Sequence, residues 1–137
     1  MTGILIVTHA QLGSTLIDTL EFILGKPQER LISISIDIKE DPDGLRKKIQ
    51  KGIKDVRSDN GVLILTDMFG GTPSNLSYSF LEEGQVEVLS GVNLPILMKA
   101  VASRDKMPME ELTASLVEHG KRSISLASDI LKGTKRS

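Results

Sequence analysis

Short aliphatic runs alternate along the chain with segments whose apolar residues return every three to four positions, which is the pattern of strands joined by helical crossovers. Gly3-Ile4-Leu5-Ile6-Val7-Thr8 is uninterrupted and suits a strand covered on both faces. Leu12, Leu16, Ile17, Leu20, Ile23 and Leu24 then form one stripe of an amphipathic helix, which Gly25 and Pro27 stop. Leu31 to Ile36 alternates isoleucine with serine, so it predicts a strand with one covered and one wetter face, at an edge. Asp41-Pro42 reads as an N-cap with proline at the first helical position, and Leu45, Ile49, Ile53 and Val56 give the buried stripe of a second helix.

Gly61-Val62-Leu63-Ile64-Leu65-Thr66-Asp67 repeats the layout of Gly3 to His9: a glycine, aliphatic residues, a threonine, then a polar functional group. Placed as parallel neighbours roughly 4.8 Å apart, the two strands would deliver His9 and Asp67 side by side at their C-terminal ends. A third helix begins near Thr72-Pro73 with Leu76, Phe80 and Leu81 inward, and Val86 to Ser90, broken by Glu87, reads as a second edge strand. Helices follow from about Asn93 to Ser103 and from Pro108, with Met109, Leu112, Leu116 and Val117 on the apolar face of the latter. Ser123 to Leu126 alternates like a strand, while Ile124, Ala127 and Leu131 also fit helical spacing; the strand is the preferred reading.

Two uninterrupted strands between two mixed ones predict a three-layer α/β sandwich with a parallel sheet of order 2-1-3-4. The connection reverses between strands 1 and 3, and ligands of open α/β sheets bind beyond the strand carboxyl ends at such a switch point. His9 and Asp67 fall at that crevice.

Composition removes other chemistries. The 137 residues bound one domain, and at this size folding buries roughly 70% of the unfolded chain's surface, so no metal or disulfide staple is needed. Absence of cysteine excludes thiolate catalysis and Cys-ligated zinc, and only two histidines, His9 and His119, argue against a metal site; no cofactor is expected. A net charge of -1 and four aromatic residues supply neither a basic footprint nor a stacking platform for nucleic acid. The longest aliphatic runs, Ile4 to Val7 and Val62 to Leu65, fall far short of the ~20 residues needed to span a bilayer. No secretion signal is evident at the N-terminus, so a cytoplasmic protein is expected.

At the switch point, a carboxylate accepting from Nδ1–H of His9 would leave Nε2 unprotonated and aimed outward, and would stabilise positive charge building on the ring during nucleophilic attack. Met68-Phe69-Gly70-Gly71-Thr72-Pro73-Ser74-Asn75 follows Asp67, a glycine pair entering a helix, where backbone N–H groups favour anions. The same residues also read as a plain turn with Thr72 as an N-cap, and no mononucleotide, dinucleotide or serine-hydrolase motif is present. Together they specify moving a phosphoryl group onto and off an imidazole.

Ile6-Val7-Thr8-His9, Thr66-Asp67-Met68-Phe69-Gly70-Gly71-Thr72-Pro73-Ser74-Asn75, and Ser90-Gly91-Val92-Asn93-Leu94-Pro95 resemble the signature segments of the mannose-family enzyme IIA component of the bacterial phosphoenolpyruvate-dependent sugar phosphotransferase system. The resemblance spans residues 1–130 as an enzyme IIA domain, followed by a short basic tail, 131–137. It implies that His9 takes a phosphoryl group from the histidine-containing phosphocarrier protein and passes it to enzyme IIB for sugar uptake, meeting the membrane only through a permease complex. Asp67 would orient His9, with Gly70, Gly71 and the Thr72 hydroxyl as phosphate-binding groups, and Asn93-Leu94-Pro95 at a rim of the site. It also implies a homodimer that exchanges a C-terminal antiparallel strand, which supports the strand reading of Ser123 to Ala127. Many relatives continue into a IIB domain; this chain ends at Ser137, so a separate IIB molecule is the expected acceptor. Two other functions share these residues: the phosphoryl donor of a dihydroxyacetone kinase system, and a regulatory module whose binding follows His9 phosphorylation. His119, late in an amphipathic helix, is read as structural.

Overall fold

The computed structural model describes residues 1–133. Elements follow in the order β1 (Gly3–His9), α1 (Leu12–Leu24), β2 (Leu31–Ile36), α2 (Pro42–Val56), β3 (Val62–Thr66), α3 (Thr72–Tyr78), β4 (Val86–Ser90), α4 (Leu94–Ser103), α5 (Met109–Arg122) and α6 (Ala127–Leu131). All strand pairs are parallel, in the order β2-β1-β3-β4, as the strand patterns predict.

Alternation along the central strands builds two cores. Ile4 and Ile6 of β1 with Leu63 and Leu65 of β3 pack against α1, α4 and α5. Leu5 and Val7 with Val62 and Ile64 face Leu45, Ile49, Ile53 and Val56 of α2 and Leu76 of α3. All eight strand residues are fully buried, which is why these runs carry no polar alternation. At the opposite end from the strand carboxyl termini, Gly3 lies so close to α2 that a Cβ there would stand 2.0 Å from the Val56 carbonyl oxygen. Near it, buried Arg104 donates to the carbonyls of Glu29 at 2.6 Å and Arg30 at 3.0 Å, fastening α4 to the chain entering β2.

The helix caps differ in kind. Asn93 accepts the Ile96 N–H at 2.8 Å, so it caps α4. Asp41 occupies the N-cap position of α2, but its side chain makes no capping bond. Gly71, not Thr72, is the N-cap of α3.

Several expectations are corrected. Leu12, Ile23 and Leu24 of the α1 stripe remain between 41% and 49% exposed, because the sheet covers only the arc around Leu20. Leu81 is exposed rather than inward: α3 ends at Tyr78, so the helical face that buries Leu76 does not continue to it. Val117 is likewise exposed at the margin of α5. The expected strand from Ser123 to Ala127 is absent among the described residues. Ser123 closes α5, residues 124–126 have no regular structure, and Ala127–Leu131 is helical. An alternating segment becomes a strand only when a neighbouring strand offers its ladder, and among the described residues none of the four sheet strands pairs with it. Residues 134–137 of the basic tail lie outside the described residues.

Candidate functional site

The two central strands end alike. Thr8 and Thr66 are both fully buried, and each ties its strand to the helix that follows. Thr8 Oγ1 accepts the Gly13 N–H at 2.9 Å, while Thr66 Oγ1 lies 2.6 Å from Ser74 Oγ. Val7 pairs with Thr66, which sets the register for the residues just beyond both strands to meet.

His9 and Asp67 meet there. The Asp67 Oδ2 atom accepts the backbone N–H of His9 at 2.9 Å and lies 2.8 Å from its ring Nδ1. Its other oxygen, Oδ1, accepts the Met68 N–H at 3.0 Å. Burial raises the Asp67 pKa, but the hydrogen bonds from the His9 backbone and ring, the charge interaction with that ring and the Met68 N–H outweigh it, so the carboxyl titrates below its ordinary value. An ionised carboxylate only accepts, so Nδ1 carries the proton, and in the neutral ring Nε2 is the atom with a free lone pair. The His9 side chain is 39% exposed and that of Asp67 11%, an accessible ring on a shielded partner.

Ala10 follows His9 with φ +48°, left-handed backbone that a residue with a Cβ seldom adopts. The chain turns there out of the sheet, with the Ala10 N–H donating to the Ile36 carbonyl at 3.3 Å.

The two glycines do different work. Gly70 has φ +88° and empty space where a Cβ would be, so it is the turn. Gly71 has ordinary extended backbone, φ -86° and ψ 171°. A Cβ on Gly71 would stand 2.8 Å from His9 Cε1 and 3.4 Å from Nε2, so here glycine makes room for the imidazole. No side chain caps α3, and the Thr72 and Ser74 N–H groups at its first turn have no intrahelical partner. Thr72 is the first residue of that turn, and the Asn75 amide donates to the Gly70 carbonyl at 3.4 Å.

Beneath the loop lies a hydroxyl cluster that reading the sequence missed. Ser74 Oγ donates to the Met68 carbonyl. Thr66 Oγ1 donates to Ser90 Oγ at 2.8 Å, and the Tyr78 hydroxyl lies 3.1 Å from Ser90. These bonds fasten the loop after Asp67 to α3 and β4. The threonine repeated before His9 and Asp67 was the visible part of the signal; the serines carried none.

Other candidates stand apart. His119 sits in the last turn of α5 beside Lys121 and Arg122. Asn93 caps α4, as described. Among the described residues, no helix is long and apolar enough to cross a membrane.

Comparison with known proteins supplies independent lines. Residues 3–117 match a family model, EIIA-man, described as PTS system fructose IIA component. A fructose-specific EIIA component of Bacillus subtilis is 30% identical over 136 residues, covering 98% of this chain and 92% of that protein. A mannose-specific EIIAB component of Escherichia coli K12 is 33% identical over 124 residues, 89% of this chain but 38% of that longer protein. Among solved structures, the phosphotransferase system component EIIA from Streptococcus agalactiae superposes with a TM-score of 0.83 at 30% identity, covering 93% of this chain and 98% of the other.

Proposed function

The chain belongs to the mannose-type enzyme IIA family of the sugar phosphotransferase system, and on that premise we propose that His9 carries the phosphoryl group between the histidine-containing phosphocarrier protein and an enzyme IIB. Nε2 attacks the phosphorus of the donor's phosphoimidazole. The donor's N–P bond breaks as the bond to His9 forms, its electron pair stays on the donor nitrogen, and the donor ring, protonated at its other nitrogen, leaves as a neutral imidazole. The reverse exchange delivers the group to IIB.

Asp67 keeps the proton on Nδ1 and offsets the positive charge that phosphorylation puts on the ring. On this reading the phosphoryl oxygens face the Gly70–Thr72 backbone and the Thr72 hydroxyl at the start of α3, where Gly71 lies against the His9 ring. The observation that carries this reading is the 2.8 Å contact between His9 Nδ1 and Asp67 Oδ2 at the end of neighbouring strands. A cytoplasmic setting, beside a permease that meets the sugar, belongs to the same proposal.

So does a homodimer: Leu126, Ile130 and Leu131 are large apolar residues left exposed on and just before α6, a patch suited to a second copy. Sedimentation of the wild type against Leu131→Ser tests it, with a monomeric wild type as the refuting result.

Incubation with phosphoenolpyruvate, enzyme I and the phosphocarrier protein should give one acid-labile phosphohistidine, absent in His9→Ala and retained in His119→Ala. Label on His119 overturns the assignment. Transfer onward to enzyme IIB, and not to a dihydroxyacetone kinase subunit, identifies the acceptor.

A further inference from the structure

Met68 and Phe69, just after Asp67, are 54% and 79% exposed, so burial of side chains does not hold this loop in place. Hydrogen bonds have to. Gly70, with φ +88° and open space where a Cβ would be, lets the chain turn, and the Phe69 ring meets Tyr78 with centroids 6.0 Å apart. The loop must nonetheless keep Asp67 still, because the Met68 N–H is one of the donors that converge on that carboxylate beside His9.

One hydroxyl grips the chain on both sides of Asp67. Ser74 Oγ donates to the carbonyl of Met68, the residue after it, and among the described residues no other hydrogen bond reaches that carbonyl. The same oxygen lies 2.6 Å from Oγ1 of Thr66, the residue before it. Met68 is thus pinned at its N–H by Asp67 and at its carbonyl by Ser74. Ser74 is itself fully buried in the first turn of α3, with Ser90 Oγ at the end of β4 3.2 Å away. A side chain locked in that way can hold others to a fixed geometry.

We propose that Ser74 is a positioning residue for the phosphoryl transfer: by fixing Thr66 and Met68 it fixes the Asp67 carboxylate, and through it the proton on His9 Nδ1. The inference rests on His9 being the accepting nucleophile. A neutral imidazole left to water carries its proton mainly on Nε2, so a carboxylate free to drift returns the ring to the form with no lone pair at Nε2. Ser74 has no hydrogen bond to His9, so its effect on the ring passes through Asp67.

The test measures Ser74→Ala beside Ser77→Ala. Ser77 is equally buried on the same helix, and its hydroxyl donates to the Pro73 carbonyl at 2.6 Å without meeting either neighbour of Asp67. Nitrogen NMR of the His9 ring reads where the proton sits, and rapid-quench phosphorylation from the phosphocarrier protein gives kcat and KM. Ser74→Ala should move the ring from the Nδ1–H form towards Nε2–H and lower kcat roughly tenfold or more, with KM within about twofold of wild type. Ser77→Ala should match wild type in both. Where Ser74→Ala does not fold, Ser74→Cys, a weaker donor, is judged by the same readouts. Either an unmoved ring or an unchanged kcat in the Ser74 variant overturns the proposal. Equal changes in Ser77→Ala overturn it as well, since they would report a loosened α3. Wild type that accepts nothing from the phosphocarrier instead sinks the function proposed above, and the NMR comparison then still decides whether Ser74 places the proton.

Discussion

Gly71→Ala puts the packing of His9 to the test. The backbone at residue 71, φ -86° and ψ 171°, accepts alanine without strain, so the substitution acts only through its methyl group. That methyl would stand 2.8 Å from His9 Cε1, and restoring an ordinary 3.4 Å contact demands a shift of about 0.6 Å. The ring is tethered through Nδ1 to Asp67 at 2.8 Å, so the shift comes out of that bond or out of the aim of Nε2. Misplacement by ~1 Å can cost a reacting pair about 100-fold, so transfer from the phosphocarrier should slow by roughly 10- to 100-fold. Stability should change by less than about 1 kcal/mol, because the ring is half-exposed and can yield. Gly70→Ala is the control: its Cβ would meet nothing, but φ +88° makes it lose roughly 1–2 kcal/mol of stability with no direct push on the ring. Rapid-quench phosphorylation, with folded fraction matched by circular dichroism, reads the rate, and nitrogen NMR of the His9 ring reads the Nδ1 bond. Wild-type transfer by Gly71→Ala would refute the reasoning, and so would a larger transfer defect in Gly70→Ala at matched folded fraction.

Asp67→Asn should keep the fold but slow transfer by roughly 10²- to 10⁴-fold: three N–H donors converge on the carboxylate, and an amide has one accepting oxygen, so either orientation sets its NH₂ against a donor. Wild-type rates in the same assay would show that the charge is dispensable. The same carboxyl predicts acid behaviour. Its folded pKa lies below the unfolded value of about 3.9, so its contribution to stability is present above that pH and is lost as pH falls through the lowered value. Urea titrations between pH 5 and 2 should show a slope that Asp67→Asn lacks; identical slopes would count against the pairing. Arg104→Met should cost about 2–4 kcal/mol, since the carbonyls of Glu29 and Arg30 lose a buried donor, and lower Tm by roughly 10 °C without altering transfer. Gly3→Ala should be among the most damaging small substitutions, because the 2.0 Å approach to Val56 is to backbone that cannot step aside; an unchanged denaturation midpoint contradicts that packing.

The sheet was legible because its central strands are buried on both faces, leaving aliphatic runs whose ends could be compared, and the comparison alone put His9 beside Asp67. Helix stripes were less informative. The α1 pattern names an apolar face but not how much of it the sheet covers, hence the exposed Ile23 and Leu24. Residues 123–131 misled because serine-isoleucine alternation is compatible with both periods when no neighbouring strand decides. Arg104 was unreadable, since a basic residue after an amphipathic helix looks solvated whether it faces water or buried backbone carbonyls. Gly71 was visible as a glycine, yet only geometry distinguishes one that turns the chain from one that clears a space. The Thr66, Ser74 and Ser90 hydroxyls sit far apart in the chain and acquire meaning only when β3, α3 and β4 converge.

The left-handed turn at Ala10 bears on how the imidazole stays on target. Alanine tolerates that conformation poorly and has few alternatives that keep the Ile36 contact, so the hinge behind His9 is stiff at the expense of some stability. Glycine at position 10 would relax the hinge and widen the arc through which the ring swings. Thermal resistance and phosphoryl-relay speed would then move in opposite directions on changing one methyl group.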